Sequence, residues 1–291
     1  MCITEDKLVE SYGKATPRER FRLIYKNLFC SYDLINGTQV FIITFGLAMS
    51  NRGKRRLTKV GKFNDIGIDS ELDWDRITHL FKLGIIAALM VLAGDMILGW
   101  GVTDETLTGM DAYFSRYTTV SDTRVFASAI LGLIGIPLEC LSYFGVYRLM
   151  AKKAPGYAHT YRSGLIGMLS FGAFTHVMCC ATIYHLNTVK SIDSSLATTQ
   201  AIQFAKLFLL PVSGIFLVFF LVAAITQIVA FAKELTPYPK WCWVFSMLSG
   251  IVVIVIMRFA GNHPLAYAVS TAWISIGALW TFGGLLVMSR M

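Results

Sequence analysis

Long apolar runs, separated by short polar stretches, fill the chain from residue 77 onward. Six of them are long enough to be considered as helices crossing a membrane: Ile77 to Gly101, Val125 to Met150, Ser163 to Leu186, Phe204 to Ala232, Trp241 to Met257, and Pro264 to Met288. A helix needs about 20 such residues to cross hydrocarbon, whereas barrel strands are shorter and alternate. None of the six alternates. In hydrocarbon every backbone polar group has to be satisfied within the segment, so helices follow. The expected fold is therefore an all-α polytopic membrane bundle of six transmembrane helices over residues 77–291, preceded by an N-terminal extension over residues 1–76.

The loops set an orientation. Arg52, Lys54, Arg55, Arg56, Lys59 and Lys62 precede the first span. Arg148, Lys152, Lys153 and Arg162 lie between the second and third, Lys233 and Lys240 between the fourth and fifth, and Arg290 follows the sixth. The alternate loops carry Asp104, Glu105, Asp111 and Asp122 against Arg116 and Arg124, and Lys190 and Lys206. Basic loops stay in the cytoplasm, so both termini are expected inside and the extension is expected to be cytoplasmic. Within it, Glu19 to Leu34 reads as a basic amphipathic helix suited to an anionic inner leaflet. The run Val40 to Met49 is too short to span unless residues 34–39 join it as a seventh crossing, which would move the N-terminus outside.

Composition agrees with this pattern. Hydrophobic residues make up 55% of the 291 and charged residues only 15%, with a mean hydropathy of +0.58; soluble domains carry about 25% charge. The bilayer is the expected partner and the plasma (inner) membrane the expected location. The formal charge is +8, but its cations flank apolar runs, so no nucleic-acid partner is expected. The charged first residues hold no apolar core of a cleavable signal peptide. The six cysteines include no CxxC, and no Walker loop, GxSxG or HExxH is present.

Candidate chemistry comes from ionisable residues inside spans, which are costly there and mark function by default. Asp95 lies in the outer third of the first span, Glu139 in the second just after Pro137, and His176 in the middle of the third. At about 100° per residue, Asp95 shares its face with Gly84, Ala88 and Gly99. Glu139 shares its face with Ser128, Gly132, Gly135, Ser142 and Tyr143, and His176 with Gly172, Ala173, Cys179 and Cys180. Small residues mark helix contacts, so the three groups are expected to converge in the bundle interior. His185 lies about half a turn round the helix from His176. It is placed instead in an outer cluster with Arg258 and His263, a set able to hold an anionic head group or carboxylate. The His176, Cys179 and Cys180 triplet is expected to be packing, not a metal site, and no cofactor is expected. Pro211, with Ser213 and Gly214 behind it, predicts a kink in the fourth span.

Gly94-Asp95, the stretch Ile136-Pro137-Leu138-Glu139 with Tyr143 and Tyr147, the central His176, and Pro239-Lys240-Trp241 together resemble a group of small bacterial multi-pass membrane proteins with six spans and no established activity. The likeness covers residues 77–291 and implies an integral membrane protein. The acids and histidines also invite comparison with intramembrane zinc hydrolases similar to alkaline ceramidases and adiponectin receptors. Those place a His-x-x-x-His pair in the last span, where residues 264–288 contain no histidine.

The expected function is non-enzymatic: binding or transport of a small amphipathic or lipid-like molecule. Its cavity would be lined by Asp95, Glu139, Tyr143 and His176, with Glu139 holding a proton, His176 as its hydrogen-bond partner and Asp95 an outer polar contact. Two alternatives stand beside it. One is an intramembrane hydrolase with a metal at His176; the other is a structural or signalling membrane subunit whose polar residues only hold helices together.

Overall fold

A computed structural model describes residues 72–289 of the protein. The amphipathic segment 19–34, the apolar run 40–49, the basic stretch 52–62 and Arg290 lie outside the described residues. Among those described, the secondary structure is helical, with no strand.

Helix α1 (Trp74–Gly99) begins at Asp73, whose carboxylate accepts the Arg76 N–H, an N-cap that satisfies an orphan donor. A short α2 (Gly109–Ser115) occupies the following loop. Helix α3 (Asp122–Ser142) is capped by Ser121 and stops at Tyr143, after which α4 (Phe144–Ala151) carries the same span onward. Pro137 lies one turn and a half before that break; having no N–H, it cannot bond the carbonyl four residues back. The 38-residue α5 (Pro155–Ile192) starts with proline at its first position, where no donor is needed. Helix α6 (Ala197–Phe204) passes through a π-helical turn at Ala205–Leu209 into α7 (Leu210–Ala232). Pro211 sits just past the widened turn, so the expected disturbance in this span is a π-turn next to the proline.

The last third is more broken. Single 3-10 turns at Lys240–Val244 and Met247–Ser249 lead to α8 (Gly250–Met257), a further 3-10 turn (Arg258–Ala260), α9 (Pro264–Thr271) and α10 (Trp273–Met288). Four helical segments are long and apolar enough to cross a membrane: Trp74–Gly99, Asp122–Ala151, Pro155–Ile192 and Ala197–Ala232. The pair α9 and α10, bent by 64°, makes a fifth if counted as one span. This is a membrane protein by length and hydropathy. The expected fifth span is the shorter apolar segment Met247–Ala260, about 20 Å of helix against about 30 Å of hydrocarbon.

Helices α10, α1, α3, α5 and α7 form a series in which each packs on the next, with α4 against α5 and α9 against α1. The ends of the series meet where Phe220 of α7 abuts Trp273 of α10 and where the Gln227 side chain donates to the Phe245 carbonyl. Toward its N-terminus α7 leaves its neighbours: only 17% of its span is buried, against 33–44% in the other three. A Cβ added at Gly214 would meet nothing within 4 Å.

Loop contacts sort the connections onto two ends. At one, Trp74 packs edge-on against Tyr238, Lys153 donates to the Glu234 carbonyl, Lys233 donates to the Tyr157 hydroxyl, and the Tyr238 hydroxyl donates to the Leu285 carbonyl. Burial pushes the pKa of this Tyr238 phenol above its ordinary range, so the hydroxyl keeps its proton. At the other end, the Arg124 guanidinium donates to the carbonyls of Ile97 and Trp100 and so caps the C-terminus of α1. There too Asn262 bonds Thr103 and Glu105, Asn187 donates to the carbonyls of Tyr117 and Val120, and Arg116 lies over the rings of Tyr113, Tyr117 and Tyr267. Between Tyr238 and Asn262 the chain therefore passes from the first end to the second, although its helix there is short. Gly261 (φ 70°) makes the turn back into α9, a conformation open to glycine and strained for other residues.

The tightest packing is between backbones. Gly250 of α8 lies against the Trp273 carbonyl and Gly277 of α10 against the Met247 carbonyl. A Cβ at either has no flexible side chain to displace. Gly250→Ala and Gly277→Ala are each expected to destabilise the protein by about 1–3 kcal/mol, the usual cost of overpacking, read as a fall in the thermal unfolding midpoint in detergent. Gly156→Ala, in open space, is expected to leave that midpoint unchanged.

Candidate functional site

Asp95 is four residues before the end of α1. On the same helix face Gly99 lies against Ala268 and Thr271 of α9, and Gly84 lies against Phe282 of α10. These close approaches turn the Asp95 side chain toward α10 and α5. Its Oδ2 accepts from the Ser275 hydroxyl at 2.7 Å. Its Oδ1 lies 3.4 Å from His176 Nδ1. The His176 ring reaches across from α5, and its Nε2 is 3.0 Å from the Ser128 carbonyl of α3 and 3.3 Å from the Ser128 hydroxyl. Cys180 Sγ, one turn along α5, is 3.7 Å from that hydroxyl. A carbonyl oxygen can only accept, so Nε2 donates to it. The Nδ1–Asp95 contact then carries a single mobile proton: imidazolium with carboxylate, or imidazole with carboxylic acid.

The ring fits only because residue 132 is glycine, since a Cβ there would overlap Cδ2 of His176. Asp95, Ser128, His176 and Ser275 thus tie α1, α3, α5 and α10 at one level. The aspartate and histidine side chains are 14% and 9% exposed.

Glu139 is buried on α3, one turn beyond Gly135, which approaches Ala87 and Val91 of α1. Asp95 is the charged group that acts on it electrostatically. No hydrogen bond or ion pair of the Glu139 carboxyl is present among the described residues, so the expected His176–Glu139 bond is not made: both ring nitrogens of His176 are taken, by Asp95 and by Ser128. Tyr143, one turn further along, is fully buried with its ring 4.5 Å from that of Phe282.

The outer cluster expected from sequence is spread apart. The His185 ring stacks on Phe204 at 5.2 Å, on the side of α5 that faces α6. Among the described residues no hydrogen bond, ion pair or ring contact joins it to Arg258, His263 or Asp95. His263 caps α9, its Nδ1 accepting the Leu265 N–H. Arg258 borders a recess of about 320 Å³ with Met257, Gly261, Ala266, Tyr267 and Ser270. A second recess, of about 370 Å³, lies between Met96, Ile97, Trp100 and Arg124. Both are at the end that holds Arg124 and Asn262, and neither is lined by Asp95, Glu139 or His176. Among the described residues no group of three or more His, Cys, Asp or Glu side chains is placed to share a metal ion.

Ser275 and Tyr161 are the polar residues that the sequence pattern did not single out. Ser275 is a lone hydroxyl in an apolar run. Tyr161 precedes Arg162, whose charge moves the apparent start of the span to residue 163.

Removing the His176 imidazole leaves Asp95 with one hydroxyl partner, and a charge left unpaired by loss of its partner costs about 3–5 kcal/mol. Removing the Ser275 hydroxyl takes away one interhelical hydrogen bond, worth about 0.6 kcal/mol on average in a membrane protein. His176→Ala is therefore expected to lower the unfolding midpoint several times more than Ser275→Ala. Equal losses would contradict the ion pair.

No curated protein and no solved structure matches the chain. A match does extend over residues 63–291, which includes every element and every site residue described above: the chain belongs to the family of unknown function DUF6796.

Proposed function

We propose that this protein is a non-enzymatic plasma-membrane protein that binds or carries a small amphipathic or lipid-like molecule. Its site comprises the Asp95–His176 pair, Glu139 and Tyr143, and Glu139 holds a proton. The observation that carries this reading is the placing of two acids and a histidine together in the bundle interior, with one acid left without a hydrogen bond. Glue between helices needs only the Asp95–His176–Ser275 set. A second carboxyl beside Asp95 adds repulsion to the burial cost of either charge, which favours a titrating site over a purely structural one.

The recess at Arg258 supplies an outer mouth. Its Ser270 lies five residues before Ser275, which bonds Asp95. Arg258 at its rim suits the anionic part of an amphiphile, and the apolar, weakly packed outer half of α7 suits its tail. His263 holds the turn of this mouth, whereas His185 packs against α6 at a distance from it. The hydrolase alternative lacks a set of metal ligands among the described residues.

The proposed topology has six crossings with both termini inside and residues 1–76 as a cytoplasmic extension. What supports it is the alternation of loops between two ends, with Lys152, Lys153, Lys233 and Lys240 at one. The basic residues of the other end include Arg124 and Arg116, held by carbonyls and aromatic rings. In a background lacking Cys2 and Cys30, a membrane-impermeant maleimide applied to intact cells is expected to label Glu105→Cys, Ser195→Cys and Ala260→Cys, but not Lys240→Cys. Protection of Ala260→Cys would make the fifth segment re-entrant.

Binding is read by native mass spectrometry of protein purified in mild detergent. The wild type is expected to retain a small amphiphile, and both Glu139→Gln and His176→Ala to lose it. Equal retention by the variants, or none by the folded wild type, would contradict the binding reading.

A further inference from the structure

Two tyrosines inward of Glu139 are unusual in this bundle. Tyr143 and Tyr161 are fully buried, and among the described residues neither hydroxyl makes a hydrogen bond of ordinary length; Tyr143 has Thr281 beside it, whose own hydroxyl donates to the Gly277 carbonyl. A buried hydroxyl without a partner costs free energy, and buried polar groups of this kind usually bind ordered water. Their positions form a series. Tyr143 follows Glu139 by one helical turn on the same face, and Tyr161 of α5 packs in the same buried cluster as Tyr143. Tyr157 is one helical turn before Tyr161 on the same face of α5, and its hydroxyl accepts from Lys233 at 3.0 Å, at the end carrying the basic loops.

Depth follows the same order. By helical rise, Glu139 lies about 18 Å and Tyr143 about 12 Å from the inner end of α4, and Tyr161 about 9 Å and Tyr157 about 3 Å from the start of α5. The titratable groups near Glu139 are Asp95 from α1 and Cys140 and Tyr143 from its own helix, and Tyr161 of α5 lies near the last two. Helix α10 brings hydroxyls only, with Thr281 beside Tyr143.

We infer that Tyr143, Tyr161 and Tyr157, with water between them, form a proton path from the Lys233 end of the molecule to the Glu139 carboxylate. The inference rests on Glu139 as the proton-holding group proposed above and adds the side from which its proton comes. Each oxygen along the path takes a proton from the inner side as it passes its own onward. The last O–H bond forms on a Glu139 oxygen, every phenol ends neutral, and nothing is oxidised or reduced. Inner access to Glu139, combined with an Asp95–His176 pair nearer the outer end, makes the site two-sided.

The test is infrared spectroscopy of the full chain in proteoliposomes after rapid acidification. The C=O stretch of protonated Glu139 is assigned as the band that Glu139→Gln removes. Tyr143→Phe and Tyr161→Phe keep the rings and delete only the unpartnered oxygens. Each is expected to slow the rise of the band about tenfold or more, the lower range of a lost proton-transfer group, with its final amplitude unchanged. Tyr184→Phe, on the lipid-facing side of α5, is expected to leave the rate as in wild type. An unchanged rate in both path variants would overturn the path alone. A folded wild type with no such band at any pH would overturn the proton-holding reading and the path together.

Discussion

A carboxylate inside hydrocarbon has no water to pair with, and in this protein that constraint is met at Asp95 by His176 and Ser275. The cost of leaving it unpaired fixes how α1, α5 and α10 are rotated about their axes, because each must present one particular side chain at one level. The imidazole in turn spends its second nitrogen on the Ser128 carbonyl of α3, so a fourth helix is tied in. Close backbone approach follows from the same requirement. Gly132 leaves room for the ring, and Gly84 and Gly99 let α10 and α9 come near enough to α1 for Ser275 to reach Asp95.

Interruptions of the helices are placed where this tied level needs them. Pro137 precedes the break at Tyr143, which lies between the Glu139 turn and the C-terminal end of the span. Pro211 follows a π-helical turn, beyond which α7 leaves its neighbours over its N-terminal half. The bend between α9 and α10 lies three residues before Ser275. The recess at Arg258, the Asp95–His176 pair, the isolated Glu139 carboxyl and the buried phenols then succeed one another from one end of the bundle to the other. Polar groups therefore flank Glu139 toward both ends of the bundle, whereas the outward faces offer Leu, Ile, Val and Phe.

Much of this was legible in the apolar pattern, because the length of hydrocarbon and the need for internal hydrogen bonds act on each segment separately. The four long spans and the inward turn of Asp95 and His176 follow from such local rules, and the small residues on those faces are helix contacts: Gly99 and Gly135 approach backbone, while Gly84, Gly132 and Gly172 make room for the side chains of Phe282, His176 and Ile136. Features set by several segments at once were not legible. Windowed hydropathy treats Trp241 to Met257 as one helix, but the Ser246 hydroxyl bonding the Leu248 N–H and the contact of Gly250 with α10 divide it into short turns. Helical spacing puts His185 opposite His176 but cannot say that α6 folds back to cover it with Phe204. Ser275 shows no signal of its own, since a single hydroxyl in an apolar run acquires meaning only from the carboxylate it meets.

The Asp95–His176 pairing is tested most directly by a double-mutant cycle on thermal stability in detergent, using Asp95→Asn, His176→Gln and the two combined. Residues in direct ionic contact are coupled by about 0.5–3 kcal/mol, and independent sites add within about 0.5 kcal/mol. The structure requires coupling in the first range, with the double variant losing clearly less than the sum of the single losses. Simple additivity would mean that the two side chains do not meet, and the site built around them would not stand.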